Sequence, residues 1–419
     1  MKMKKYKLDE IAIVEISGVD KKTKDNEIPV RLCNFTDVYH NWAITKEMTN
    51  SFLKASANQK EINTLSLKKG QVAFTKDSET RDDIGIPTYI ADDFENVVLG
   101  YHTALITPDK SKLSGKYLNA FMNTRYIQKY FENNASGSGQ RYTLSTETLN
   151  AIPVIAPDLQ TQEKIGDVFS NIDKKIALNR RMNAKLEQMA KRLYDHWFVQ
   201  FDFPNADGKP YKSYGGKMEY NDVLKREIPA GWEVGNLYDI AEYVNGLACQ
   251  NYRPKAEEAF LPVIKIREMN EGISSDTEKV SANIPEKYKI FDGDILFSWS
   301  ASLEVMIWAG GDGGLNQHIF KVNPKSYFSK EYIYQQLQSY LINFQKMAEA
   351  RKTTMGHITS DHINQSRVLL PPKEIISVFN EKTLSIFNYQ LSIEKEIQKL
   401  TALRDRLLPL LMNGQVEVK

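Results

Sequence analysis

Two polar segments in the first half of the sequence carry side chains suited to contact nucleic acid. The segment 136–141 alternates serine with glycine and ends in Gln140 and Arg141, and a second segment follows a predicted strand end at Thr75. Glycine lets a backbone approach a ligand closely, amides and hydroxyls can hydrogen-bond base edges, and guanidinium groups can bind phosphates. An ordinary solvated loop is the alternative for both segments. The candidate contact residues are Lys76, Ser78, Thr80, Arg81, Ser136, Ser138, Gln140 and Arg141.

The second half of the sequence carries a corresponding pair of polar segments. One is a short run of cationic and hydroxyl side chains, and the other places serines at alternate positions from the end of a predicted strand. They offer the same donors and acceptors as the first pair, but residue types alone do not assign bases to them. The candidate contact residues here are Ser298, Ser300, Ser302, Arg351, Lys352, Thr353 and Thr354.

Common catalytic and cofactor-binding motifs are missing from the sequence. There is no G-x-x-x-x-G-K-[ST] loop, no G-x-G-x-x-G between a strand and a helix, and no Asn/Asp-Pro-Pro-Tyr/Phe segment of the kind amino-methyltransferases use. Pro157-Asp158 with Glu163-Lys164 lacks the spacing of a nuclease site. The glycine run 310–314 is predicted to be a hairpin turn between strands at 305–309 and 318–322. We therefore expect no catalytic centre.

The histidines and cysteines do not form a recognisable site either. Cys33 and Cys249 are far apart and lack CxxC spacing, so neither a zinc site nor a disulfide framework is expected. This cysteine usage fits a reducing cytoplasm. His102 and His318 occupy matching places in the two halves, which favours a shared structural role over a catalytic one. We expect no metal and no cofactor in this chain.

The two halves of the sequence match each other in order. Residues 70–75 (GQVAFT) correspond to 293–298 (GDILFS), and 102–106 (HTALI) correspond to 318–322 (HIFKV). The offset between matched segments drifts from about 229 to 214 along the chain, as expected when loops differ in length between copies. This internal repeat predicts one fold used twice.

Each copy is expected to begin with short strands rich in Val, Ile, Phe and Trp, followed by a helix at 116–131 or 330–347. A polar loop and a long helix complete each copy. The composition of 205–217, NADGKPYKSYGGK, is that of a linker. The predicted fold is α+β, with two tandem mixed α/β domains separated by two long antiparallel coiled-coil helices in a pseudo-two-fold internal repeat.

The long helices carry the apolar spacing of a coiled coil. Successive apolar positions are separated alternately by four and three residues over more than four heptads. In the second copy the same positions recur 214 residues further along the chain. From Ile165 to Trp197, at 1.5 Å per residue, the seam spans roughly 48 Å, which suits a spacer between two DNA half-sites. The simpler alternative is that each helix packs only on its own domain. The seam residues are Ile165, Phe169, Ile172, Ile176, Asn179, Asn183, Leu186, Leu193, Phe379, Ile386, Ile393, Ile397, Leu400 and Leu407.

The composition permits sizeable cores and gives no strong electrostatic signal. Hydrophobic residues make up 42% of the chain and the net charge is +2. A freestanding nucleic-acid binder is often more basic, but basic residues can cluster locally or come from partner subunits. No apolar run approaches the roughly 18 residues that span a membrane, and none follows the basic N-terminus as in a signal peptide. A cytoplasmic location is expected.

These features resemble the specificity subunits of Type I restriction–modification systems over nearly the whole chain. In that family a target-recognition domain followed by a long helical segment is repeated once. The segments that carry the resemblance are 293–298, 149–154 leading to Ile165, 190–199 followed by Phe201-Asp202-Phe203-Pro204, and Gly231-Trp232-Glu233. The family's Pro-Pro-Leu with Glu-Gln before the long helix is only partly present, since the first copy has Gln162 without the Glu and the second has Ile375-Ile376.

The resemblance implies a non-catalytic subunit that reads a bipartite DNA target. Target-recognition domains are expected at 1–157 and 228–372, spacer helices at 158–204 and 373–414, and a linker at 205–227. Such a subunit would bind double-stranded DNA and dock two modification (methyltransferase) subunits and restriction (endonuclease/translocase) subunits. S-adenosylmethionine, ATP and Mg would be bound by those partners.

Other functions remain open at this point. The chain could be a methyltransferase or nuclease with divergent motifs, which S-adenosylmethionine binding by the isolated chain would reveal. It could be a coiled-coil scaffold without DNA selectivity, which would select no sequence from random duplexes. It could also be the specificity subunit of a related system with a fused modification–cleavage partner.

Overall fold

The computed structural model describes residues 3–137, 140–300, 302–350 and 358–418. The chain divides into two compact units. Unit 1 comprises Met1–Ala177 with Leu400–Lys419, and unit 2 comprises Leu178–Lys399. Each unit therefore contains one mixed α/β domain and parts of both long helices.

Unit 1 is built from short strands and short helices, followed by the start of a long helix. Its strands are β1 (Lys4–Lys7), β2 (Ala12–Ile16), β3 (Ile28–Cys33), β4 (Ala43–Ile44), β5 (Leu53–Ala57), β6 (Val72–Thr75), β7 (Asp77–Ser78), β8 (Pro87–Ile90), β9 (Val97–Leu99), β10 (Thr103–Pro108), β11 (Ser136–Gly137), β12 (Tyr142–Thr143) and β13 (Pro153–Ala156). Its helices are α1 (Phe35–His40), α2 (Gln59–Leu65), α3 (Gly115–Met122), α4 (Arg125–Asn134), α5 (Thr146–Asn150) and the start of α6 (Leu159–Tyr194).

The central sheet of unit 1 has the order β2-β10-β6-β8-β4 and separates two hydrophobic cores. All residues of β6 are buried. Because successive side chains of a strand point to opposite faces, Val72 and Phe74 pack into one core while Ala73 packs into the other. The Phe74 ring stacks on Phe131 of α4 with 6.2 Å between centroids, which fastens the helix to this sheet.

Unit 2 repeats this composition of elements. Its strands are β14 (Met218–Asn221), β15 (Arg226–Pro229), β16 (Glu233–Asn236), β17 (Ala241–Asn245), β18 (Phe260–Ile264), β19 (Lys279–Ser281), β20 (Lys289–Ile290), β21 (Ile295–Ser298), β22 (Glu304–Ile307), β23 (Gly313–Leu315), β24 (Ile319–Pro324) and β25 (Arg367–Leu370). Its helices are α7 (Leu237–Ile240), α8 (Ile266–Glu271), α9 (Lys330–Ala350), α10 (Ser360–Gln365) and the start of α11 (Lys373–Met412), together with the end of α6 and the π-helical turn Asp195–Val199.

The two units share four strands of their central sheet in the same order, although the sheet of unit 1 has β4 as a fifth strand. The order β2-β10-β6-β8 in unit 1 has its counterpart in β17-β24-β21-β22 of unit 2. In β21, Ile295 and Phe297 enter one core and Leu296 another, as in β6. A buried tyrosine repeats as well: the Tyr117 hydroxyl donates to the Ile155 carbonyl at 2.7 Å, and the Tyr332 hydroxyl to the Leu369 carbonyl at 2.8 Å. The internal repeat predicted from sequence is confirmed.

One predicted helix is divided in two. The helix expected at 116–131 consists of α3 and α4, whereas its counterpart at 330–347 is the single helix α9. The break is at Thr124, whose hydroxyl donates to the Phe121 carbonyl at 2.7 Å and whose backbone is extended. A side chain that bonds to the preceding turn offers the backbone an alternative to continued helix.

The glycine run 310–314 is not the predicted hairpin turn. Gly313 and Gly314 belong to β23, which pairs parallel with β18 and antiparallel with β20. A Cβ atom at Gly314 would lie 2.4 Å from Val280, so glycine is needed for this close approach. The segment 205–217 contains no strand or helix, but the rest of the predicted linker contains β14, which forms a hairpin with β15.

Candidate nucleic-acid interface

A small sheet brings the two predicted polar segments of unit 1 together. β12 pairs with β7 on one side and with β11 on the other, so Tyr142 is opposite Ser78 and Thr143 is opposite Ser136. Segments 76–81 and 136–141 therefore lie side by side although about 60 residues separate them in the chain. We call this the recognition sheet, β11-β12-β7. Two-residue strands leave no periodic signal in a sequence, so this pairing could not be predicted.

The buried carboxylate of Asp77 links the parts of the recognition sheet. Its Oδ1 is 2.7 Å from Lys76 Nζ and accepts from the Thr143 hydroxyl at 2.5 Å, while its Oδ2 is 2.5 Å from His102 Nδ1. Burial by itself would raise the pKa of Asp77, but the hydrogen bonds from Lys76, Thr143 and His102 outweigh it and hold the pKa below its ordinary value. Asp77 is thus a charged anchor at the base of the sheet.

The predicted contact residues of unit 1 differ in the solvent exposure of their side chains. Thr80, Arg81, Ser136, Gln140 and Arg141 are exposed, and Ser78 is half-buried. The Arg81 guanidinium lies over the Tyr142 ring, 5.0 Å from its centroid, which holds the cation on the recognition sheet.

Lys76 is less available than its neighbours. Its side chain is only 14% exposed and its ammonium group is already paired with Asp77, so it supports the sheet rather than offering a free charge. Ser138 lies outside the described residues.

In unit 2, two of the predicted serines are structural. The Ser298 hydroxyl is buried and donates to the Ser302 carbonyl at 2.5 Å, and it accepts from the Glu304 backbone N–H at 2.9 Å. Ser300 is only 4% exposed. Because both side chains are buried, neither Ser298 nor Ser300 offers its hydroxyl at the surface of this structure, and the prediction that they contact DNA has no support from their exposure. Ser302 is exposed, and Arg351, Lys352, Thr353 and Thr354 lie outside the described residues.

Trp299 is a functional candidate that the sequence did not indicate. It follows β21, where Lys76 follows β6 in unit 1. Its indole Nε1 donates to Asn245 Oδ1 at 3.2 Å, and its ring centroid lies 5.7 Å from that of the exposed His318. The alignment of the two halves does indicate it: residues 70–75 match 293–298, so the next residue in each copy, Lys76 or Trp299, holds the same position.

In unit 2 the end of α6 packs antiparallel on the start of α11. Asn179 Nδ2 donates to Glu396 Oε2 at 2.9 Å near one end, and at the other end Trp197 packs on Phe379 with 5.7 Å between ring centroids. Asn183 Nδ2 donates to Glu394 Oε2 at 3.2 Å between them. The polar seam residues therefore bond to carboxylates of the opposite helix.

In unit 1 the start of α6 packs on the end of α11. Ile165 and Phe169 share a core with Leu411 and Met412. Arg404, which interrupts the heptad pattern of α11, lies over the Trp42 ring at 5.1 Å from its centroid. The predicted seam side chains are all buried or half-buried.

The family model for the "Type I restriction modification DNA specificity domain" matches residues 2–188 and 229–402. These two matches cover most of the chain. The chain belongs to the family of Type I restriction–modification DNA specificity subunits.

The similar proteins align with most or nearly all of the specificity subunit. It is 25% identical to the Type I restriction enzyme HindI specificity subunit of Haemophilus influenzae, and the alignment covers 99% of each chain. It is 26% identical to the MjaIX specificity subunit of Methanocaldococcus jannaschii, over 74% of this chain and 71% of that one. The crystal structure of the S subunit from M. genitalium has the same fold, with a TM-score of 0.57 and 12% identity over 98% of this chain and 96% of that one.

The specificity subunit determines DNA target specificity and is non-catalytic. Each match of the family model includes one α/β domain and most of one long helix, so the duplication lies within the family's own pattern. The resemblance stated from the sequence motifs is confirmed, as is the α+β fold with paired long helices.

The rest of the described part of the specificity subunit offers no group suited to metal or thiol chemistry. No three His, Cys, Asp or Glu side chains among the described residues are placed to hold a metal ion. Both cysteines are buried, and burial raises the pKa of Cys249 to about 11. None of the described helices combines the length and the apolar character needed to cross a membrane.

Proposed function

We propose that this specificity subunit reads a bipartite DNA target, one half with the domain at 1–157 and the other with the domain at 228–372. The observation that carries the proposal is the duplicated fold, with the same sheet order and the same buried tyrosine in each unit. In a two-fold dimer bound to a palindrome, each subunit reads one half-site. Here the two copies of the fold within one chain would each read one half-site in the same way.

The recognition sheet supplies the contacts of the first domain. Its exposed hydroxyl, amide and guanidinium groups are those that bind phosphates and base edges. The proposed contact residues are Ser78, Thr80, Arg81, Ser136, Ser138, Gln140 and Arg141 in the first domain, and Ser302, Arg351, Lys352, Thr353 and Thr354 in the second.

The long helices 158–204 and 373–414 fix the number of base pairs left unread between the half-sites. Helix α6 alone has 36 residues, and at 1.5 Å per residue it is about 54 Å long, a distance on the scale of the DNA helical repeat. Antiparallel seams with partly buried amide–carboxylate pairs support one register and so one spacing.

The catalytic chemistry belongs to partner subunits. Two modification subunits would bind S-adenosylmethionine and dock on the helices, and restriction subunits would join with ATP and Mg. The complex would act on DNA in the cytoplasm, where Cys33 and Cys249 remain reduced thiols.

A domain exchange tests the proposal. The specificity subunit is co-purified with its modification subunit, and methylated adenines are mapped on a library of duplexes. Replacing residues 1–157 with the first domain of another specificity subunit should change one half of the methylated motif and leave the other half and the spacer unchanged. Replacing 228–372 should change the opposite half. A change in both halves after either exchange, or in neither, would contradict the proposal.

A further inference from the structure

The turn 101–102 before β10 and the turn 317–318 before β24 occupy the same place in the two units, and each contains a histidine. We call them the histidine turns. In unit 1 the Lys76 backbone N–H donates to the His102 carbonyl at 3.0 Å. In unit 2 the Trp299 N–H donates to the His318 carbonyl at 3.3 Å. Each histidine turn is therefore bonded to the residue that leaves the end of the central strand β6 or β21.

The same strand-end residue is also bonded to the segment that closes the predicted DNA-contacting loop. The Leu144 N–H donates to the Lys76 carbonyl at 2.9 Å, and the Ile358 N–H donates to the Trp299 carbonyl at 2.9 Å. Leu144 follows the segment 136–141, and Ile358 follows the segment 351–354. In both units one residue thus joins the histidine turn to the segment that follows a candidate contact loop in the chain, and this connection is the reason for assigning the turn to the surface proposed to contact DNA.

The residue before each histidine presents a polar side chain at this edge. Tyr101 is 47% exposed, and its ring centroid lies 3.7 Å from that of His102. Gln317 is partly exposed, with its Nε2 3.3 Å from His318 Nε2. The Tyr101 ring packs against the His102 imidazole, whereas the Gln317 amide is hydrogen-bonded to the His318 imidazole through its Nε2 and keeps a second N–H and its Oε1 for other partners.

Each histidine is itself held in place by a neighbour. His102 has a φ of 70°, a conformation uncommon for residues other than glycine. The Asp77 carboxylate, 2.5 Å from its Nδ1, fixes its ring. His318 packs against Trp299, whose indole is tied to Asn245. Rigid support of this kind is what a contact residue needs in order to discriminate between bases.

We propose that Tyr101 and Gln317 are specificity-determining residues that contact base edges of the half-site read by their own domain. The proposal rests on the bipartite reading described above. The Gln317 amide presents a donor beside an acceptor, the pattern that pairs with N6 and N7 of adenine in the major groove. Tyr101 offers one hydroxyl and a ring face, which suits a single hydrogen bond or contact with a thymine methyl group.

The test maps methylation by the complex of the full chain with its modification subunit on random-sequence duplexes. Gln317→Glu keeps the size of the side chain but leaves only acceptors, which favour the amino group of cytosine. It should shift the preference at one base pair of one half-site away from adenine by about ten-fold or more. Tyr101→Ala should reduce the base preference at one position of the opposite half-site by about ten-fold.

Two further variants serve as controls, and the control tyrosine matches Tyr101 in exposure. Tyr126, on α4, is 48% exposed, and Gln365, at the last position of α10, is exposed. Tyr126→Ala and Gln365→Ala should leave the motif unchanged. Persistence of the half-site read by the unaltered domain shows that each variant complex is folded.

An unchanged motif for Gln317→Glu and Tyr101→Ala would overturn the proposal. So would failure of Gln317→Glu and Gln317→Ala to assemble with the modification subunit, since that would assign Gln317 a structural role. The domain exchange separates this inference from the proposed function. If exchange of 1–157 changes one half-site while the turn variants change nothing, only the inference fails; if the exchange also changes nothing, both fail.

Discussion

Asn179 donates its side-chain amide to the carboxylate of Glu396, with 2.9 Å between Nδ2 and Oε2, in the helix pair of unit 2. Asn179 is only 1% exposed and Glu396 is half-buried, so the bond is partly shielded from water. A buried amide within an apolar heptad seam favours the register in which it meets a hydrogen-bonding partner, because any other register would bury it without one.

Replacing Asn179 with alanine should therefore destabilise the protein although alanine is the better helix former. Loss of a buried hydrogen bond to a charged group costs about 1–3 kcal/mol, against a gain of up to about 0.7 kcal/mol in helix propensity. Urea denaturation of Asn179→Ala would measure the difference. Asn171 is exposed on the same helix, and Asn171→Ala should be neutral or slightly stabilising. Equal midpoints for the two variants would show that the bond with Glu396 contributes nothing.

Gln162 fixes the start of α6 in unit 1. It is 1% exposed, and its amide accepts from the Ser114 N–H at 2.9 Å and donates to the carbonyls of Lys112 and Pro157, both at 3.0 Å. Unit 2 has the buried Ile376 at the equivalent position, so the two copies solve the same packing problem with different chemistry.

The Gln162→Ile substitution should destabilise unit 1 by about 2–4 kcal/mol, because it leaves two buried backbone groups and a partly buried one without their partner. Thermal or urea unfolding would measure the change. The neighbouring Glu163 is exposed, and Glu163→Ile should have a much smaller effect. Wild-type stability of Gln162→Ile would mean that the two copies tolerate either residue at this position.

The repeat, the sheet-forming segments and the long helices were predictable because their signals are local. Heptad spacing from Ile165 to Trp197 follows directly from the geometry of a helix, and matched segments such as 70–75 and 293–298 need only be aligned. The matched segments keep the same order in the two copies even where the loops between them differ in length, and this order carries the resemblance to the family.

The exposure of individual polar residues was not predictable, because it depends on pairing between distant segments. Ser298 and Thr80 both follow a predicted strand, yet Ser298 is enclosed by its hairpin and Thr80 is exposed. The recognition sheet is formed by strands of two residues, and Gly313 and Gly314 became a strand because β18 and β20 approach them. Trp299 is not among the residue types that commonly hydrogen-bond base edges, so its type alone gives no signal in the sequence.

The hydrogen bonds to Asp77 predict a pH dependence of stability. Its pKa is lowered in the folded protein below the value of about 3.9 expected in an unfolded chain. A carboxyl of this kind adds stability above its unfolded pKa, and the contribution disappears as the pH falls through the folded pKa. At neutral pH the contribution is fully present.

Asp77→Asn should therefore lower the free energy of unfolding at pH 7 by about 1–3 kcal/mol. The difference in free energy of unfolding between wild type and variant should become smaller as the pH falls below about 4. Urea titrations at a series of pH values would measure it. Asp25 is exposed in a turn, and Asp25→Asn should change stability little at any of these values. A gap of constant size down to pH 2 would show that Asp77 does not act through its charge.

Arg81 and Arg141 are exposed cations in the segments that flank the recognition sheet. Their contribution to DNA binding should be visible in the salt dependence of the affinity. A protein that neutralises a phosphate releases a counterion, so each contact adds about 0.9 to the slope of log affinity against log salt. Arg81→Ala and Arg141→Ala should each weaken binding to all sequences alike and reduce that slope by about 1. Fluorescence anisotropy with the purified complex at several salt concentrations would measure both quantities.

Two further variants show what the arginines do. Lys54 is exposed on β5, outside the recognition sheet, and Lys54→Ala should leave the slope unchanged. Arg81→Lys keeps the charge but gives up the guanidinium plane over Tyr142, so it should retain the slope while weakening affinity less than Arg81→Ala. If Arg81→Ala instead changed the preferred base and left the slope intact, Arg81 would be a base-reading residue. If neither arginine variant altered affinity or slope, DNA would bind elsewhere on unit 1, because an exposed cation at a phosphate contact cannot be removed without that loss.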